Sequence, residues 1–461
     1  MAPKFGTSGL RGLATDLTDD LVARYAAAFV AQHDHDGTLY VGRDRRESSP
    51  RIALAVARGA AAEGLRVIDC GVLPTPALAG AALEAGTLSI MVTGSHIPGD
   101  RNGLKFYTSR GEFTKADEAP LAAAVAARRS VEGGEAEVEM TDAPRKAYVA
   151  RYVSGLPHGV LSGRRVGVWV HSSTASEVLP DILEGLGAAV VSLGASETFV
   201  PVDTEAVDAE TRSRLAGWVA EHGLDAVVST DGDADRPLFV DDRGRIVPGD
   251  ILGPVAARWC GADEVVTTVS ANSMVDLMGA FHRVQRTKIG SPHVIAAMEA
   301  RMAAHAHRIA GYEPNGGFLL GWDVGRSGIS LPSLMTRDAV LPIVATLAAA
   351  AQEKRSVSEL IADLPQRRTA TDRLQDVAPD VSRGIVEALL GGDLSVLPGG
   401  LGAPVSTDTT DGARLTFADG RVVHIRPSGN APELRAYVEA DSDEAAGDVL
   451  ASVLEALKAR V

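Results

Sequence analysis

Residues 226–241 read AVVSTDGDADRPLFVD, two short apolar runs joined by a polar loop rich in aspartate. Apolar and β-branched runs of this length, bounded by glycine and polar residues, predict two strands with a loop between them. The same order occurs twice more, once before this segment and once after it. The three strand, loop, strand segments are 88–92, 93–102 and 103–107; 226–229, 230–236 and 237–241; and 307–310, 311–317 and 318–321.

Each segment follows two further predicted strands that are separated by helical, Ala- and Leu-rich stretches. Alternation of strands and helices is typical of an α/β protein whose sheets are covered by helices. Three successive units of one order predict duplicated domains whose polar loops face a common site. The preceding strands are predicted at Leu39–Val41 and Leu65–Asp69, at Arg165–Val170 and Ala188–Leu193, and at Glu264–Val269 and His282–Thr287.

The pattern changes from about Gln366 onward. There the sequence predicts a smaller α+β unit with three strands and a closing helix, at 415–417, 422–425, 434–440 and 443–459. Boundaries between units are expected near the Gly- and Glu-rich residues 132–135, near 248–253 and near Pro365.

Composition disfavours several classes of function. The 461 residues include 45 Lys and Arg against 60 Asp and Glu, for a net charge of −15. This charge disfavours nucleic acids and anionic membranes as partners unless the basic residues cluster locally. Cys70 and Cys260 have neither the spacing of a disulfide framework nor that of metal ligands. The N-terminus has no signal-like apolar run, and no stretch approaches the ~18 apolar residues of a spanning helix, so we expect a cytoplasmic protein.

The loop after residue 229 carries three carboxylates, Asp231, Asp233 and Asp235, followed by Arg236. Alternating carboxylates at the end of an apolar strand suit a hard divalent cation. An EF-hand calcium loop fits less well, because its sixth position would be Arg236 and its twelfth Asp242. The sequence therefore predicts a Mg²⁺ site that keeps a position open for a phosphate oxygen; a solvated acidic turn is the alternative.

Two other loops carry groups suited to phosphate chemistry. Ser95 stands between Gly94 and His96 on a glycine-containing turn, with Lys105 beyond it, and such a serine can attack phosphorus or carry a phosphoryl group. Near the C-terminus a cluster of donors is suited to a phosphate monoester, namely Arg426, Ser428, Gly429, Asn430 and Arg435.

The third repeated loop and several basic residues complete the set of candidates. Glu313 and Asn315 offer a carboxylate and an amide, a pair suited to adjacent sugar hydroxyls. Further basic groups in loops are Arg11, Arg43, Arg45, Arg46 and Lys288. Seven cations fall in the loops assigned to one site, so the acidic chain is predicted to contain a local positive well for a small anion. They are Arg11, Arg43, Lys105, Arg236, Lys288, Arg426 and Arg435.

Five segments, in this order, make the chain similar to the α-D-phosphohexomutase family, whose enzymes interconvert 1-phospho and 6-phospho sugars. They are FGTSGLRG at 5–12, TGSH at 93–96 with NGLK at 102–105, DGDADR at 231–236, the loop at Glu313, and RPSG at 426–429. The resemblance covers nearly the whole chain. It implies four domains around a central active-site cleft, three of one repeated α/β fold with mixed sheets and a smaller α+β fourth, at 1–135, 136–250, 251–365 and 366–461.

The resemblance also implies roles for the candidate residues. Ser95 would be phosphorylated in the resting enzyme, and Asp231, Asp233 and Asp235 would bind Mg²⁺ together with a phosphate oxygen on Ser95. Arg236 would lie beside the phosphoryl group, and Lys288 near the substrate as an aid to proton transfer. The remaining residues implied in the site are Arg11, His96 and Lys105, with Glu313 and Asn315 at the sugar and Arg426, Ser428, Gly429, Asn430 and Arg435 at the phosphate that is not reacting.

Two loops depart from the family's pattern. Asn315 stands where the family has a serine, after Pro314, which affects sugar specificity and leaves the reaction itself unaffected. Residues 430–432 read NAP where many members have Thr-Glu-Pro, a change that leaves both flanking arginines in place.

The expected reaction is a transfer from phospho-Ser95 to the free hydroxyl of a phosphosugar, giving a 1,6-bisphosphate that turns over and returns its other phosphate. A sugar 1,6-bisphosphate would serve as activator. Mannose phosphate is the first candidate substrate and glucose phosphate the second, with phosphoglucosamine as an alternative. A Mg²⁺-dependent phosphatase with an aspartate nucleophile would leave Ser95 and the C-terminal arginines without a role, and a phosphosugar-binding regulator would leave the metal loop without one. We expect a monomer or homodimer.

Overall fold

The structure is a computed structural model that describes residues 3–6, 9–131, 136–428 and 432–461. The described chain contains three α/β units and a C-terminal unit. The first unit consists of β1 (Lys4–Phe5), β2 (Leu10–Leu13), α1 (Asp19–Gln32), β3 (Thr38–Arg43), α2 (Ser49–Ala62), β4 (Arg66–Val72), α3 (Thr75–Ala85), β5 (Leu88–Val92), β6 (Arg101–Thr108), β7 (Gly111–Glu112), α4 (Lys115–Ala127) and β8 (Val138–Met140).

The second and third units follow without a break. The second consists of α5 (Ala143–Gly155), β9 (Arg165–His171), α6 (Val178–Gly185), β10 (Ala189–Ala195), α7 (Ala209–His222), β11 (Ala226–Thr230) and β12 (Pro237–Asp241). The third consists of α8 (Gly249–Cys260), β13 (Glu264–Thr268), α9 (Met274–Leu277), β14 (Arg283–Thr287), α10 (Ser291–Ala303), β15 (Ile309–Tyr312), β16 (Phe318–Leu320), β17 (Val324–Arg326), β18 (Ile329–Leu331), β19 (Leu334–Asp338), α11 (Val340–Gln352) and α12 (Val357–Ala362).

The C-terminal unit is a five-stranded antiparallel sheet with two long helices; the smaller α+β unit was predicted, but with three strands and only the closing helix. Its sheet has the strand order β20-β24-β23-β22-β21. It consists of β20 (Arg368–Gln375), α13 (Pro379–Leu390), a short 3₁₀ turn (Leu394–Val396), β21 (Pro404–Asp408), β22 (Ala413–Phe417), β23 (Val422–Pro427), β24 (Glu433–Ala440) and α14 (Asp443–Lys458).

The three α/β units share one sheet topology. Their sheets contain the orders β4-β3-β5-β6, β10-β9-β11-β12 and β14-β13-β15-β16. In each, the first three strands are parallel and the fourth is antiparallel to the third. The predicted repeat and the mixed α/β sheets are therefore confirmed. Because parallel strands end at the same edge of a sheet, each unit presents its polar loop at the carboxyl end of the corresponding strand.

The hydrophobic cores show which units pack as one body. One continuous core runs through all three α/β units, from Ile68 in the first to Leu364 after the third. The C-terminal unit has a core of its own, around Phe417 and Val438. Within the described ranges, no helix is both long enough and apolar enough to cross a membrane.

Candidate active site

Ser95 lies in the loop between β5 and β6 and is fully buried. Its backbone is in the left-handed region, at φ 54°, which is uncommon for a residue with a β-carbon and is frequent at functional sites. Its backbone N–H donates to Thr93 Oγ1 at 2.8 Å. Its hydroxyl donates to Asp231 Oδ2 at 2.6 Å and lies 3.2 Å from His96 Nδ1. The loop thus holds a single hydroxyl directly against the carboxylate loop of the second unit.

A buried arginine from the turn before α2 holds the serine loop in this shape. The guanidinium of Arg46 donates to four carbonyl oxygens of the loop, those of Ser95, Ile97, Pro98 and Arg101, at 2.6–3.0 Å. Its Nε donates to Asp44 Oδ2 at 3.0 Å. A β-carbon at Gly94 would lie 2.6 Å from the Arg46 Cζ atom, so glycine is required for the guanidinium to lie against the loop.

Asp231, Asp233 and Asp235 lie in the turn between β11 and β12 and are completely buried or nearly so. One carboxylate oxygen from each lies within 4.8 Å of the others. Backbone pairing of Thr230 with Pro237 closes the turn, which is why three carboxylates of alternating positions point into one small volume.

Burial and mutual repulsion set the protonation of these carboxylates. Burial and then the charges of Asp233 and Asp235 raise the pKa of Asp231 well above its usual value. Burial by itself would raise the pKa of Asp235, but the cations Arg337, Lys105 and Arg236 outweigh it and lower that pKa.

Two side chains from the first unit bind the outer oxygens of this cluster. Lys105 on β6 donates to Asp233 Oδ2 and to Asp235 Oδ2, both at 2.6 Å. Thr75, the first residue of α3, donates to Asp233 Oδ2 at 2.5 Å. In the described part of the chain, the other oxygen of Asp233 and of Asp235 is buried without a hydrogen-bond partner. Two orphaned carboxylate oxygens beside a third carboxylate fit an oxygen-coordinated divalent cation such as Mg²⁺.

The predicted cations converge on the same place. Arg11 on β2 pairs in register with Gly103, and the repulsion of Arg236 adds to the effect of burial in lowering the pKa of Arg11 to about 10. Arg236 lies 3.8 Å from Asp235 Oδ1 and 3.7 Å from Glu205 Oε2. Burial and the nearby cations, chiefly Arg236, lower the pKa of His96 to about 2, so its ring is neutral.

Glu313 and Asn315 lie in the turn between β15 and β16, and both are buried. Glu313 Oε2 accepts from Arg337 Nη1 at 3.3 Å. Asn315 Oδ1 accepts from the backbone N–H of Gly317 at 2.9 Å, so this amide oxygen shapes the turn. Arg337 in turn donates from Nη2 to Asp235 Oδ2 at 2.6 Å, which joins the loop of the third unit to the carboxylate loop of the second.

A cleft of about 960 Å³ separates this cluster from the C-terminal unit. His96 and Glu205 lie on one side of it, and Glu433 and Arg435 on the other. Arg435 donates to Glu433 Oε2 at 3.1 Å. The arrangement places a cationic group of the last unit across an open space from the Ser95 loop, a geometry suited to a small ligand with an anionic end.

Two further residues that were predicted to bind phosphate make contacts within the C-terminal unit. Arg426 on β23 lies 3.3 Å from Asp411 Oδ2, and the backbone N–H of Ser428 donates to the Glu433 carbonyl at 2.8 Å. Gly429 and Asn430 lie outside the described residues.

Two predicted cations have surroundings different from those of the buried cluster. Lys288 is exposed at the end of β14; burial and the charge of Lys288 lower the pKa of His293, whereas Asp411 and Glu313 act in the opposite direction. Arg43 forms two hydrogen bonds to Asp69 on the neighbouring strand, at 2.8 and 2.7 Å, and lines a different, smaller cavity. The expectation that Arg43 faces the common site is therefore wrong, because its strand register directs it to Asp69.

Sequence reasoning missed Arg337, Thr75 and Glu205. None of the three lies in the same sequence motif as the residues that it contacts. Arg337 contacts Asp235 although the two are 102 positions apart in the sequence. The only local signal for Arg337 is a charged residue beside Asp338 at the end of an otherwise apolar segment. Arg46 was noted as a loop cation, but its function as a buried support for the serine loop was not foreseen.

The whole chain matches known proteins. Family models described as phosphoglucomutase/phosphomannomutase α/β/α domains I, II and III match residues 2–131, 148–244 and 248–368, and the C-terminal domain model matches 362–456. A protein named phosphomannomutase from Sinorhizobium fredii is 45% identical, with 99% of each chain covered. Another of that name from Salmonella muenchen is 41% identical, covering 99% of this chain and 96% of its own.

The fold has close counterparts among solved structures. A putative phosphomannomutase from Thermus thermophilus superposes with a TM-score of 0.78 over 99% of each chain, at 23% sequence identity. The four matching domain models and the relatives that cover nearly the whole chain establish one conclusion: the chain belongs to the phosphoglucomutase/phosphomannomutase family.

Proposed function

We propose that this protein is a phosphohexomutase that interconverts mannose 6-phosphate and mannose 1-phosphate, with glucose phosphates as the second substrate pair. The observation that carries the proposal is the buried Ser95 hydroxyl, 2.6 Å from Asp231, next to His96, which lines the same cleft as Arg435. A transferable phosphoryl group at Ser95 and a separate binding group for a second phosphate are what a 1,6-transfer requires. Full-length relatives named phosphomannomutase support the choice of mannose phosphate.

The transfer uses Ser95 as a phosphoryl carrier. The bond between phosphorus and Ser95 Oγ breaks, Oγ keeps the electron pair, and a bond forms between phosphorus and the free hydroxyl oxygen of the sugar. The sugar hydroxyl loses one proton and Ser95 Oγ gains one, so the protons balance. The resulting serine hydroxyl keeps its proton and makes the hydrogen bond to Asp231 Oδ2 that the structure shows. The second transfer reverses these steps with the other sugar oxygen.

The residues around Ser95 stabilise the charge of the transferring group. Lys105, Arg11 and Arg236 supply fixed positive charge in a buried site, where electrostatic interactions are stronger than in water. Mg²⁺ held by Asp231, Asp233 and Asp235, when bound, would polarise the phosphoryl oxygens and favour attack on phosphorus. Arg46 fixes the loop geometry and thereby the direction of Ser95 Oγ.

The C-terminal unit would hold the phosphate that is not reacting. Arg426, Ser428, Gly429, Asn430 and Arg435 are proposed for this role, and Lys288 is proposed near the substrate. The core of this unit is separate from the one that runs through the other three, and we propose that the unit moves relative to them while the sugar bisphosphate turns over in the cleft. Glu313 and Asn315 are proposed to bind the sugar hydroxyls.

Several finer features belong to the same proposal. The sugar 1,6-bisphosphate would act as activator by restoring phospho-Ser95 after its loss. We propose a cytoplasmic enzyme, a monomer or homodimer, with domain boundaries at 135, 250 and 365. In the structure, Val138–Met140 pairs with β4, so the first sheet extends a few residues beyond the first of these boundaries.

The test combines turnover with detection of the phosphoserine. Purified protein is assayed with Mg²⁺, trace sugar 1,6-bisphosphate, and mannose, glucose or glucosamine 1-phosphate, and intact-mass and peptide spectra locate any phosphate. We expect 6-phosphate product, fastest from mannose 1-phosphate, and an acid-stable phosphate on Ser95.

Ser95→Ala should lose turnover, while the control Ser452→Ala, on the exposed face of α14, should keep it. Release of inorganic phosphate without isomerisation, or full mutase activity in Ser95→Ala, would refute the mutase proposal. The first outcome would favour a phosphatase that uses an aspartate of the metal loop as nucleophile.

A further inference from the structure

Arg337 connects two loops that belong to different units. It is the residue before the last of β19, and its side chain is 3% exposed. Nη2 contacts Asp235 Oδ2 at 2.6 Å, and Nη1 contacts Glu313 Oε2 at 3.3 Å. One planar guanidinium thus spans the carboxylate cluster of the second unit and the proposed sugar carboxylate of the third.

Local structure is built to let this side chain reach both loops. A β-carbon at Gly317 would lie 2.7 Å from the Cδ atom of Arg337, so the arginine stem passes under the turn only because residue 317 is glycine. The pairing of Phe318 with Asp338 fixes the end of β19 beside that turn. The arginine is therefore held by backbone register at the base of the Glu313 loop.

Arg337 contacts one oxygen of each carboxylate, Asp235 Oδ2 and Glu313 Oε2, and leaves the second oxygen of each for other partners. Within the described ranges, Asp235 Oδ1 is buried with no hydrogen-bond partner, and the hydrogen bond from Arg337 to Glu313 is accepted by Oε2. Arg337 Nε is likewise buried and unpartnered. A guanidinium that binds one oxygen of each carboxylate determines in which direction the other oxygen points.

The guanidinium of Arg337 is buried between two carboxylates, those of Asp235 and Glu313. Asp235 also has Lys105 as a counter-charge, whereas Arg337 provides the one ion pair of Glu313 seen in the described part of the chain. Loss of Arg337 would therefore affect Glu313 more than Asp235.

We propose that Arg337 is a positioning residue that fixes the carboxylates of Glu313 and Asp235 together, so that recognition of the sugar hydroxyls by Glu313 depends on it. This inference rests on the proposed function, since it assumes that Glu313 meets a sugar. Arg337 does not touch the reacting atoms; it acts through the two carboxylates. It makes the sugar-binding loop and the metal loop parts of one rigid network.

A double-mutant cycle tests the action through Glu313. Binding of mannose 6-phosphate, and separately of inorganic phosphate, is measured by calorimetry on wild type, Arg337→Met, Glu313→Gln and the double variant. A charge-assisted hydrogen bond predicts that Arg337→Met weakens mannose 6-phosphate binding roughly 10- to 100-fold. In the Glu313→Gln background the same change should cost about twofold or less, and inorganic phosphate should bind all four proteins within about twofold. Equal losses in both backgrounds would overturn the proposal.

A lysine variant and titration with Mg²⁺ alone test the second contact. Arg337→Met removes a hydrogen bond and a counter-charge from Asp235, so its Mg²⁺ affinity should also differ from that of wild type. Lysine carries the charge on a single ammonium, so Arg337→Lys is expected to recover the wild-type value for mannose 6-phosphate binding or for Mg²⁺ binding, and not for both. Full recovery of both would overturn the bridging role. If Arg337→Met does not fold, as judged by circular dichroism, the cycle is run with Arg337→Lys and the same criterion of non-additivity.

The outcomes separate this inference from the proposed function. Wild-type protein that binds mannose 6-phosphate without isomerising any hexose phosphate would refute the mutase proposal and still leave the cycle readable. Wild-type protein with mutase activity but additive losses in the cycle would refute the role of Arg337 alone.

Discussion

Replacing Arg46 with methionine is expected to release the serine loop without unfolding the protein. The guanidinium is 1% exposed and makes five hydrogen bonds, four of them to carbonyls of the loop that carries Ser95. Methionine fills part of the same volume but donates to none of these groups. Removing one partner of a buried, fully bonded charge costs about 3–5 kcal/mol. The loss falls on the loop because its carbonyls lose their donor.

Amide hydrogen exchange measures this effect directly. Peptides covering residues 93–104 should exchange roughly 100-fold faster or more in Arg46→Met, since each 1.4 kcal/mol of opening free energy is about tenfold. The matched control is Arg45→Met, whose guanidinium is 37% exposed and pairs with Glu177 at 3.2 Å. An exposed pair contributes at most about 1 kcal/mol, so this variant should exchange within about fivefold of wild type. Equal exchange in both variants would show that Arg46 does not hold the loop.

Three further predictions concern stability. Asp338→Asn should lower the free energy of unfolding, measured in urea, by about 1–3 kcal/mol. The buried hydroxyls of Tyr148 and Tyr152 donate to the two carboxylate oxygens of Asp338, whereas an amide can accept at only one atom. An unchanged urea midpoint would contradict this. Burial lowers the pKa of His424 from 6.5 to about 4, so between these pH values the unfolded chain binds one more proton and stability falls by about 1.4 kcal/mol per pH unit on acidification. His424→Gln should remove that slope in unfolding measured from pH 7 to pH 4. Gly103→Ala places a β-carbon 2.2 Å from the Leu10 carbonyl oxygen and should cost roughly 1–3 kcal/mol in thermal unfolding, whereas Gly217→Ala, with open space in a helix, should stabilise by about 0.5–1 kcal/mol.

The loops were predictable because their signals are local. An apolar run precedes Asp231, and another follows Arg236. In the structure these two runs form the strands of one hairpin, with Ala226 opposite Asp241. Repetition of that pattern at Leu88 and at Ile309 was enough to indicate three similar units. Hydrophobic pattern and turn residues decide such hairpins over a few positions, with no need for distant contacts.

Side-chain direction was less predictable than loop position. Arg43 and Arg46 lie three positions apart in one basic segment; both were predicted to be loop cations, and only Arg43 was assigned to the site. In the structure Arg43 turns to Asp69 on the next strand, whereas Arg46 turns inward to the carbonyls around Ser95. The difference depends on strand register and on the turn before α2, which bring together residues 26 to 55 positions apart.

The sequence by itself determined the repeated α/β units, the serine, aspartate and arginine loops, and the family. Each of these depends on residues that are contiguous in the chain, so its signal is local. Only the tertiary structure decided that Lys105 and Thr75 bind the outer oxygens of the aspartates, that Arg46 supports the serine loop, and that Arg337 joins Asp235 to Glu313. Arg46 and the serine loop belong to the same unit, whereas the other partners come from different units and are set by how the sheets pack on one core. A buried charge is stable only where packing supplies its counter-charge, so its partner is a property of the assembled fold.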